Sequence, residues 1–351
     1  MGILQLYDAD ARGVAGNRVC PLYDCESAEV AREINGKYTL TALMPKGAHY
    51  ANEVLQGRAI KATVNETGKE QYFIVRRRSR SLSGGLNIYA EHQSYLYNGV
   101  LLGPGNANLG GSAKTVFTSM RTYAVPSITD LAAWTYSRSN SLTGSFAARD
   151  TPMPLGTLLK SWMIEAAGGE LDFDGFAVTW KNQLGANNGA IYWYGANLTE
   201  MESEDIPDNY FSGIYPFWGK MTDPNRPIVI LDNPVMLFSG TWPIQVIKPV
   251  DLTDQFDHQP TKAELEAAAT AWTNVNRPSG IPTSIKVSRA RIQGDVPVDL
   301  GDTVRVVNSR WAVDTSTRIC ALTFDPLREK GKSVELGTVN PGFAGAVKNI
   351  K

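Results

Sequence analysis

The residue groups in this sequence best placed to do chemistry are a carboxylate series, three histidines, three cysteines, a glycine-rich segment and two charge runs. Glu170, Asp172, Asp174 and Gly175 match positions one, three, five and six of a calcium loop. Position twelve is Lys181, where such a loop needs a bidentate Glu, and the flanks alternate like strands. The expectation is a half-exposed strand turning at Gly175, with no metal. The segment from Gly103 to Thr115 looks like a phosphate loop entering a helix, but a Lys114-Thr115 ending requires glycines where Asn108 and Ala113 stand. It reads as a flexible linker. His49, His92 and His258 are scattered, and none joins a Cys or Ser in a local nucleophile signature. Cys20, Cys25 and Cys320 are too few and too unevenly spaced for a disulfide scaffold or a zinc set, so they read as free thiols in apolar surroundings. No catalytic, cofactor-binding or metal-binding residue is assigned, and the chain is expected not to be an enzyme.

Charge narrows the partners. Lys plus Arg number 34 against 35 Asp plus Glu, a formal charge of -1, so no global field draws the protein to nucleic acid or an anionic membrane. Recognition has to be local. The run Arg76-Arg77-Arg78-Ser79-Arg80 reads as a solvated strand end, and if it acts, it does so as local charge toward DNA or an acidic partner. The acidic stretch from Glu200 to Asp205 reads as a wet strand edge that discourages aggregation. The longest apolar runs, such as Pro227 to Leu231 and Val235 to Phe238, fall far short of the roughly 20 residues that span a bilayer. The first ten residues lack the pattern of a signal peptide. The expectation is a soluble protein made in the cytoplasm.

The elements that must position these groups are mostly short strands cut by Gly, Pro and Asn, as in barrels and sandwiches. Lys37 to Leu43, Tyr72 to Val75, Leu86 to Ala90, Ala190 to Tyr194 and Thr303 to Val307 are examples. Three segments carry a helical period. Thr261 and Glu264 form a capping box ahead of Leu265, Ala268, Ala269 and Trp272, which fall on one stripe and predict a helix to about Asn274 packed on a sheet. A second helix is expected from Pro154 to Ala167, with Leu155, Leu158, Leu159, Trp162 and Ala166 on its stripe and Gly168-Gly169 ending it. A weaker third begins near Ser112 and cannot pass Pro126.

A chain of 351 residues, 43% hydrophobic, has room for two or three lobes. The two middle helices, flanked by strand-rich sequence, predict a mainly β protein with an α+β insert. The divisions are 1–98 as a first β-barrel lobe, 99–220 as an α+β middle lobe, 221–282 as an insertion with a helix, and 283–351 as the closing strands of a second β-barrel lobe. A faint internal echo links Leu55 to Val64 and Gln71 to Val75 with Val298 to Val307 and Trp311 to Leu322. Any two hairpins share such a pattern.

Several short motifs occur in a specific order. Gly36-Lys-Tyr-Thr-Leu40, Leu55-Gln-Gly57 and Ala90-Glu-His92-Gln-Ser-Tyr95 come first. Gly168-Gly-Glu-Leu-Asp-Phe-Asp174, Tyr194-Gly-Ala-Asn-Leu-Thr199 and Tyr210 with Ile214-Tyr-Pro-Phe217 follow. Val250-Asp-Leu-Thr253, Leu300-Gly-Asp-Thr-Val304, Phe324-Asp-Pro-Leu327 and Ser333-Val-Glu-Leu-Gly337 close the series. Together they resemble the phage minor structural protein or prophage endopeptidase tail family, the tail-associated lysins, whose N-terminal part is similar to the baseplate hub of contractile tails. The resemblance implies a multi-lobed subunit with two similar β-barrel lobes plus α/β lobes. It further implies a homotrimeric ring of pseudo-sixfold shape that closes the tail tube. The implied partners are a distal tail ring protein, a tape-measure protein and a tip spike or fibre, with DNA passing through the channel and no sequence-specific nucleic-acid contact. The implied place is the distal tip of a virion tail assembled in the host cytoplasm. The 14 residues after Gly337 are too few for a peptidase domain, so the endopeptidase activity of longer members is not carried over. The segment from Lys220 to Lys248 is expected to be an insertion that contacts a neighbouring tail protein. A cell-wall hydrolase, or a glycan-binding module using some of the 8 Trp and 14 Tyr, are the competing functions.

Overall fold

Period-two sequences become strands because alternate side chains reach a core while the backbone pairs sideways. The computed structural model describes residues 2–10, 15–80, 84–102, 124–125, 136–138, 153–157, 159, 164, 168–205, 211–237, 245–276, 283–289, 296–311 and 313–337. The first seven strands are β1 (Leu4–Ala9), β2 (Ala15–Leu22), β3 (Ser27–Glu33), β4 (Tyr38–Met44), β5 (Ala59–Thr63), β6 (Glu70–Arg80) and β7 (Leu86–His92). They lie in the order β2-β1-β5-β6-β7-β4-β3 with antiparallel neighbours. Their inward residues, among them Leu6, Leu22, Val30, Leu40, Ile60, Phe73 and Ala90, form one core that also holds Cys20 and Cys25. Asn35, in the left-handed region at φ 55°, turns the chain from β3 into β4.

Between the β lobes lie β8 (Leu101–Leu102), β9 (Ala124–Val125), β10 (Tyr136–Arg138), β11 (Met153–Pro154), β12 (Glu170–Asp174) and β13 (Ala177–Lys181). β12 and β13 are an antiparallel hairpin turning at Gly175, φ 62°, as the alternation of their sequence predicts. Of the second expected helix, Leu155–Thr157 is helical and Leu155, Leu159 and Ile164 are buried. The Gly168 N–H donates to the Ile164 carbonyl at 2.8 Å, and Gly168 and Gly169 both take positive φ. Leu158, Trp162 and Ala166, the third expected helix and the segment from Gly103 to Thr115 lie outside the described residues.

After β14 (Asn187–Trp193) and β15 (Leu198–Asp205) the chain enters a separate compact unit within residues 204–284. Its central strand β16 (Gly213–Trp218) pairs antiparallel with β17 (Val229–Ile230) and β18 (Val235–Met236) and parallel with β19 (Ile247–Asp251). Helix α1 (Lys262–Asn276) packs on this sheet, with Leu265 and Ala269 fully buried and Ala268 and Trp272 partly so. The capping box is formed: the Thr261 N–H donates to Glu264 Oε2 at 2.8 Å, and the Glu264 N–H donates to Thr261 Oγ1 at 3.3 Å.

The chain then returns through β20 (Thr283–Arg289), β21 (Thr303–Asn308), β22 (Val313–Asp325) and β23 (Lys330–Gly337). With β14 and β15 they form a second lobe in the order β14-β21-β22-β23-β20-β15. Its core contains Tyr192, Ile285, Val304, Val306, Ile319, Leu322, Val334 and Leu336. β22 also pairs with β3, Ala321 opposite Glu33 through Phe324 opposite Val30, so one sheet runs through both lobes. The fold is mainly β and multi-lobed, with two similar β lobes and an α+β insert, as the sequence predicts.

Candidate functional site

The carboxylates of the calcium-like series serve different partners. Glu170 is buried and paired bidentately with Arg318 at 2.8 Å for both contacts, and it also accepts the Leu184 N–H at 2.6 Å. Asp172 pairs with Lys181 at 2.9 Å. Asp174 accepts from Gln71 Nε2 at 2.6 Å. Because each carboxylate already has its own cation or amide donor, the three do not converge on a common point. Among the described residues no group of three or more His, Cys, Asp or Glu is arranged to hold a metal.

The contact most like a catalytic dyad is His92 with Ser94. His92 Nδ1 lies 2.9 Å from Ser94 Oγ and accepts the Ser94 N–H at 3.2 Å, while Nε2 lies 3.0 Å from Gln71 Oε1. The ring is fully buried, stacked on Tyr38 at 4.1 Å between centroids and edge-on to Phe73. Gln71 in turn accepts the Gly175 N–H, tying β6 and β7 to the β12–β13 hairpin. A nucleophile needs an open approach as well as a base held by an acidic or carbonyl partner; Gln71 Oε1 could hold this base, but the buried pair has no open approach. It is a structural brace. His49 meets Tyr50 edge-on, and His258 lies 3.7 Å from Glu264. The three cysteines are free thiols. Burial pushes Cys25 up to about 12 and Cys320 up to about 11, which leaves little thiolate at neutral pH.

What the structure does bring together is a repeat. Adding 244 to each residue number of the β5–β6 hairpin gives the β21–β22 hairpin in the same register, Ala59 opposite Ile74 becoming Thr303 opposite Arg318 and Thr63 opposite Glu70 becoming Val307 opposite Asp314. The next pairing matches too, Val75 with Ala90 and Ile319 with Leu336. A β-bulge follows at the same place in both, between Val75 and Arg77 and between Ile319 and Ala321. Beyond it, β4 pairs β7 through Leu40 and Ala90 as β20 pairs β23 through Ile285 and Leu336. β3-β4-β5-β6-β7 and β15-β20-β21-β22-β23 therefore share chain order and sheet order, and the separate compact unit enters where lobe one has the Asn35-Gly36 turn. The sequence echo is real but off by one residue, since Gly57 corresponds to Gly301 and Leu55 therefore to Asp299.

The lobes are joined by more than the β22–β3 pairing. Lys332 reaches Glu29 at 2.6 Å, and Arg32 pairs with Asp299, whose other oxygen accepts from Asn65 at 2.8 Å. Asp302 accepts from the N–H groups of Asp299 and Ala186, each at 2.8 Å. Asp299 carries this junction and Asp302 holds it in place from its own lobe, roles that sequence reading missed; the only signal was their place around Leu300-Gly301.

The arginine run forms the end of β6 and the acidic run lies on the end strand β15, as expected. Arg76 pairs with Glu91 at 2.9 Å, Arg77 lies over the Tyr89 ring at 4.6 Å, and Arg78 and Arg80 donate to the Val54 and Ala51 carbonyls. Arg76, Arg77 and Arg78 also border an open groove of about 1040 Å³ on the face of β3, β4, β6 and β7. At the far end of the sheet, Glu200 and Glu202 project from β15 and are exposed, with Met201 between them turned toward the core.

No protein-family model matches the sequence, and no curated protein matches it. Solved structures do. Prophage tail protein gp18 from Listeria monocytogenes is similar at a TM-score of 0.62 and 14% identity, over 99% of this chain and 97% of that one. The 43 kDa tail protein of prophage MuSo2 from Shewanella oneidensis is similar at 0.61 and 11%, over 97% and 99%. A tail protein from Neisseria meningitidis is similar at 0.60 and 13%, over 96% and 97%. The chain has the fold of these tail proteins along nearly its whole length.

Proposed function

We propose that this chain is a structural hub protein of a phage or prophage tail tip, three copies of which form a ring that closes the tail tube and links the distal tail ring to the tip or fibre. The observation that carries this reading is the repeat: one chain presents two lobes of the same strand order, register and bulge on one continuous sheet. Three such chains offer six similar lobes, which lets a threefold tip meet a sixfold tube. In this reading the partners are the distal tail ring protein, the tape-measure protein and a spike or fibre, and DNA passes through the centre of the ring. The shared fold of the three solved tail proteins supports a place in a virion tail.

The protein works in this reading without a catalytic centre, because the one His–Ser contact among the described residues is sealed in the first lobe. One observation favours surface recognition as a second reading. Trp193 and Trp311 are 56% and 54% exposed, and their chain neighbours Tyr194 and Arg310 meet, the guanidinium 4.9 Å from the ring. That patch has the aromatic faces a sugar ring stacks on. Electron images of the purified chain test the leading reading. Closed particles with a threefold axis, six similar lobes and a central hole are expected; particles without that axis would overturn it.

A further inference from the structure

The repeat gives a partner to two strand edges that have none among the described residues of one chain. In the second lobe, β22 runs past its pairing with β21, and Ala321 to Phe324 take β3 as an antiparallel neighbour. The constant separation of 244 places Arg77 to Arg80, the end of β6, at the corresponding position in the first lobe, and the shared strand order makes β15 the counterpart of β3. Among the described residues, Arg77 to Arg80 pair only with β7, and β15 ends the sheet, bound only to β20 apart from a single bridge between Leu198 and Tyr194. Each copy thus fills one lobe-to-lobe joint and, among the described residues, leaves open the two halves of a second such joint, one along the end of β6 where it runs past β5 and one at β15, the end strand of the sheet.

Building on the ring proposed above, we propose that these halves meet between copies. The Arg77 to Arg80 edge of one copy adds antiparallel to β15 of the next, so that the sheet continues from subunit to subunit. The occupant is a second copy of this chain, and three properties of the edges select it. The first is geometry: the β22–β3 joint is a worked example of the same junction, four residue pairs long. The second is charge. The β6 edge carries Arg77, Arg78 and Arg80, all exposed, and β15 presents exposed Glu200 and Glu202. The internal joint is likewise bridged by unlike charges, Lys332 with Glu29 and Arg32 with Asp299. The third is exclusion. Two β6 edges would set arginines against arginines, and two β15 edges glutamates against glutamates, so both face-to-face dimers are disfavoured. Only the head-to-tail contact pairs opposite charges, and head-to-tail contacts close into rings when the rotation allows. An Arg-rich edge that looks like a nucleic-acid site in one copy is in this account a subunit joint.

The test uses the full chain and three variants: Arg77→Glu with Arg80→Glu, Glu200→Arg with Glu202→Arg, and all four changes together. Light scattering measures assembly at low and high salt. Each two-residue reversal should weaken assembly at least about tenfold, and the fourfold variant should recover to within about threefold of the natural chain, because its charges are again unlike. Wild-type assembly should weaken between about 0.05 and 0.5 M salt as these exposed charges are screened. Hydrogen exchange provides a readout that needs no variant: the amides of Arg77 to Arg80 and of β15 should become protected on assembly. A trimer indifferent to both reversals, with unchanged exchange at these strands, would overturn the joint and leave the ring standing. Assembly that obeys the charge reversals at a mass other than threefold would overturn the ring and keep the joint. A chain that stays monomeric at every concentration would overturn both.

Discussion

Gly57 and Gly301 hold the same position in two lobes. Each has φ near +88°, at 87° and 89°, and each donates its N–H at 2.9 Å to the carbonyl opposite, Val75 for one and Ile319 for the other. Their surroundings differ. A Cβ on Gly57 would meet open space, while one on Gly301 would lie 2.6 Å from the Leu184 backbone. Gly57→Ala should therefore cost about 1 kcal/mol, the strain of a left-handed alanine, and Gly301→Ala about 3 kcal/mol or more. Denaturant unfolding measures both, and equal losses would show that the tight approach at Leu184 relaxes freely.

Breaking the buried Glu170–Arg318 pair should be far more damaging than removing it. Arg318→Met leaves a buried carboxylate without its cation and should cost about 3–5 kcal/mol, whereas Glu170→Gln with Arg318→Met should recover much of that loss. Thermal melts of the two variants decide it. The same pairing predicts that a chelator leaves the melting temperature unchanged, since Glu170, Asp172 and Asp174 already hold Arg318, Lys181 and Gln71. A drop of several degrees with a chelator, reversed by calcium, would show these carboxylates bind metal.

Helix α1 gives a pH signature. Hydrogen bonds from the Thr261 N–H and hydroxyl, with a lesser contribution from nearby His258, hold the Glu264 carboxyl below its ordinary range. A depressed carboxylate contributes stability above its unfolded pKa and loses it as pH falls through the folded one. Glu264→Gln should flatten the acid limb of the stability curve for the unit containing α1, while Leu265→Asp, at a fully buried position, should destabilise that unit by a few kcal/mol at any pH. An unchanged acid limb in Glu264→Gln would remove the capping box from the account.

Local patterns of this protein were legible in its sequence, and long-range relations were not. Thr261 with Glu264 and the stripe through Leu265 and Ala269 foretell α1, because cap and period lie within a dozen residues. Asp172 and Asp174 beside Gly175 foretell a hairpin for the same reason. The repeat was faint because register, bulge and strand order are backbone properties. Many side chains can satisfy them, and Ala59 and Thr303 fill the same slot with no likeness between them. The separate compact unit also hides the match by placing about 80 residues between β15 and β20, where β3 and β4 have a tight turn. The arginine run reads as a solvated strand end and the acidic run as a wet strand edge, but the complementarity proposed between copies leaves no trace in their spacing. Asp299 and Asp302 were missed as junction residues because their partners Arg32, Asn65 and Ala186 lie more than a hundred positions away.

The purified protein should release no soluble fragments from peptidoglycan, because His92 and Ser94 face each other inside the first lobe. Ser94→Ala should lower stability by about 1 kcal/mol and change nothing else. Release of muropeptides that a single substitution abolishes would make the chain a hydrolase instead.

The central claim, a closed ring of three, is tested most directly by the mass of the full chain in solution, measured by light scattering over a hundredfold range of concentration at low salt. The account predicts a plateau at about 115 kDa, three times the 38.3 kDa chain, with no larger species beyond it. A stable dimer or tetramer, an open series of growing mass, or a monomer throughout would contradict it.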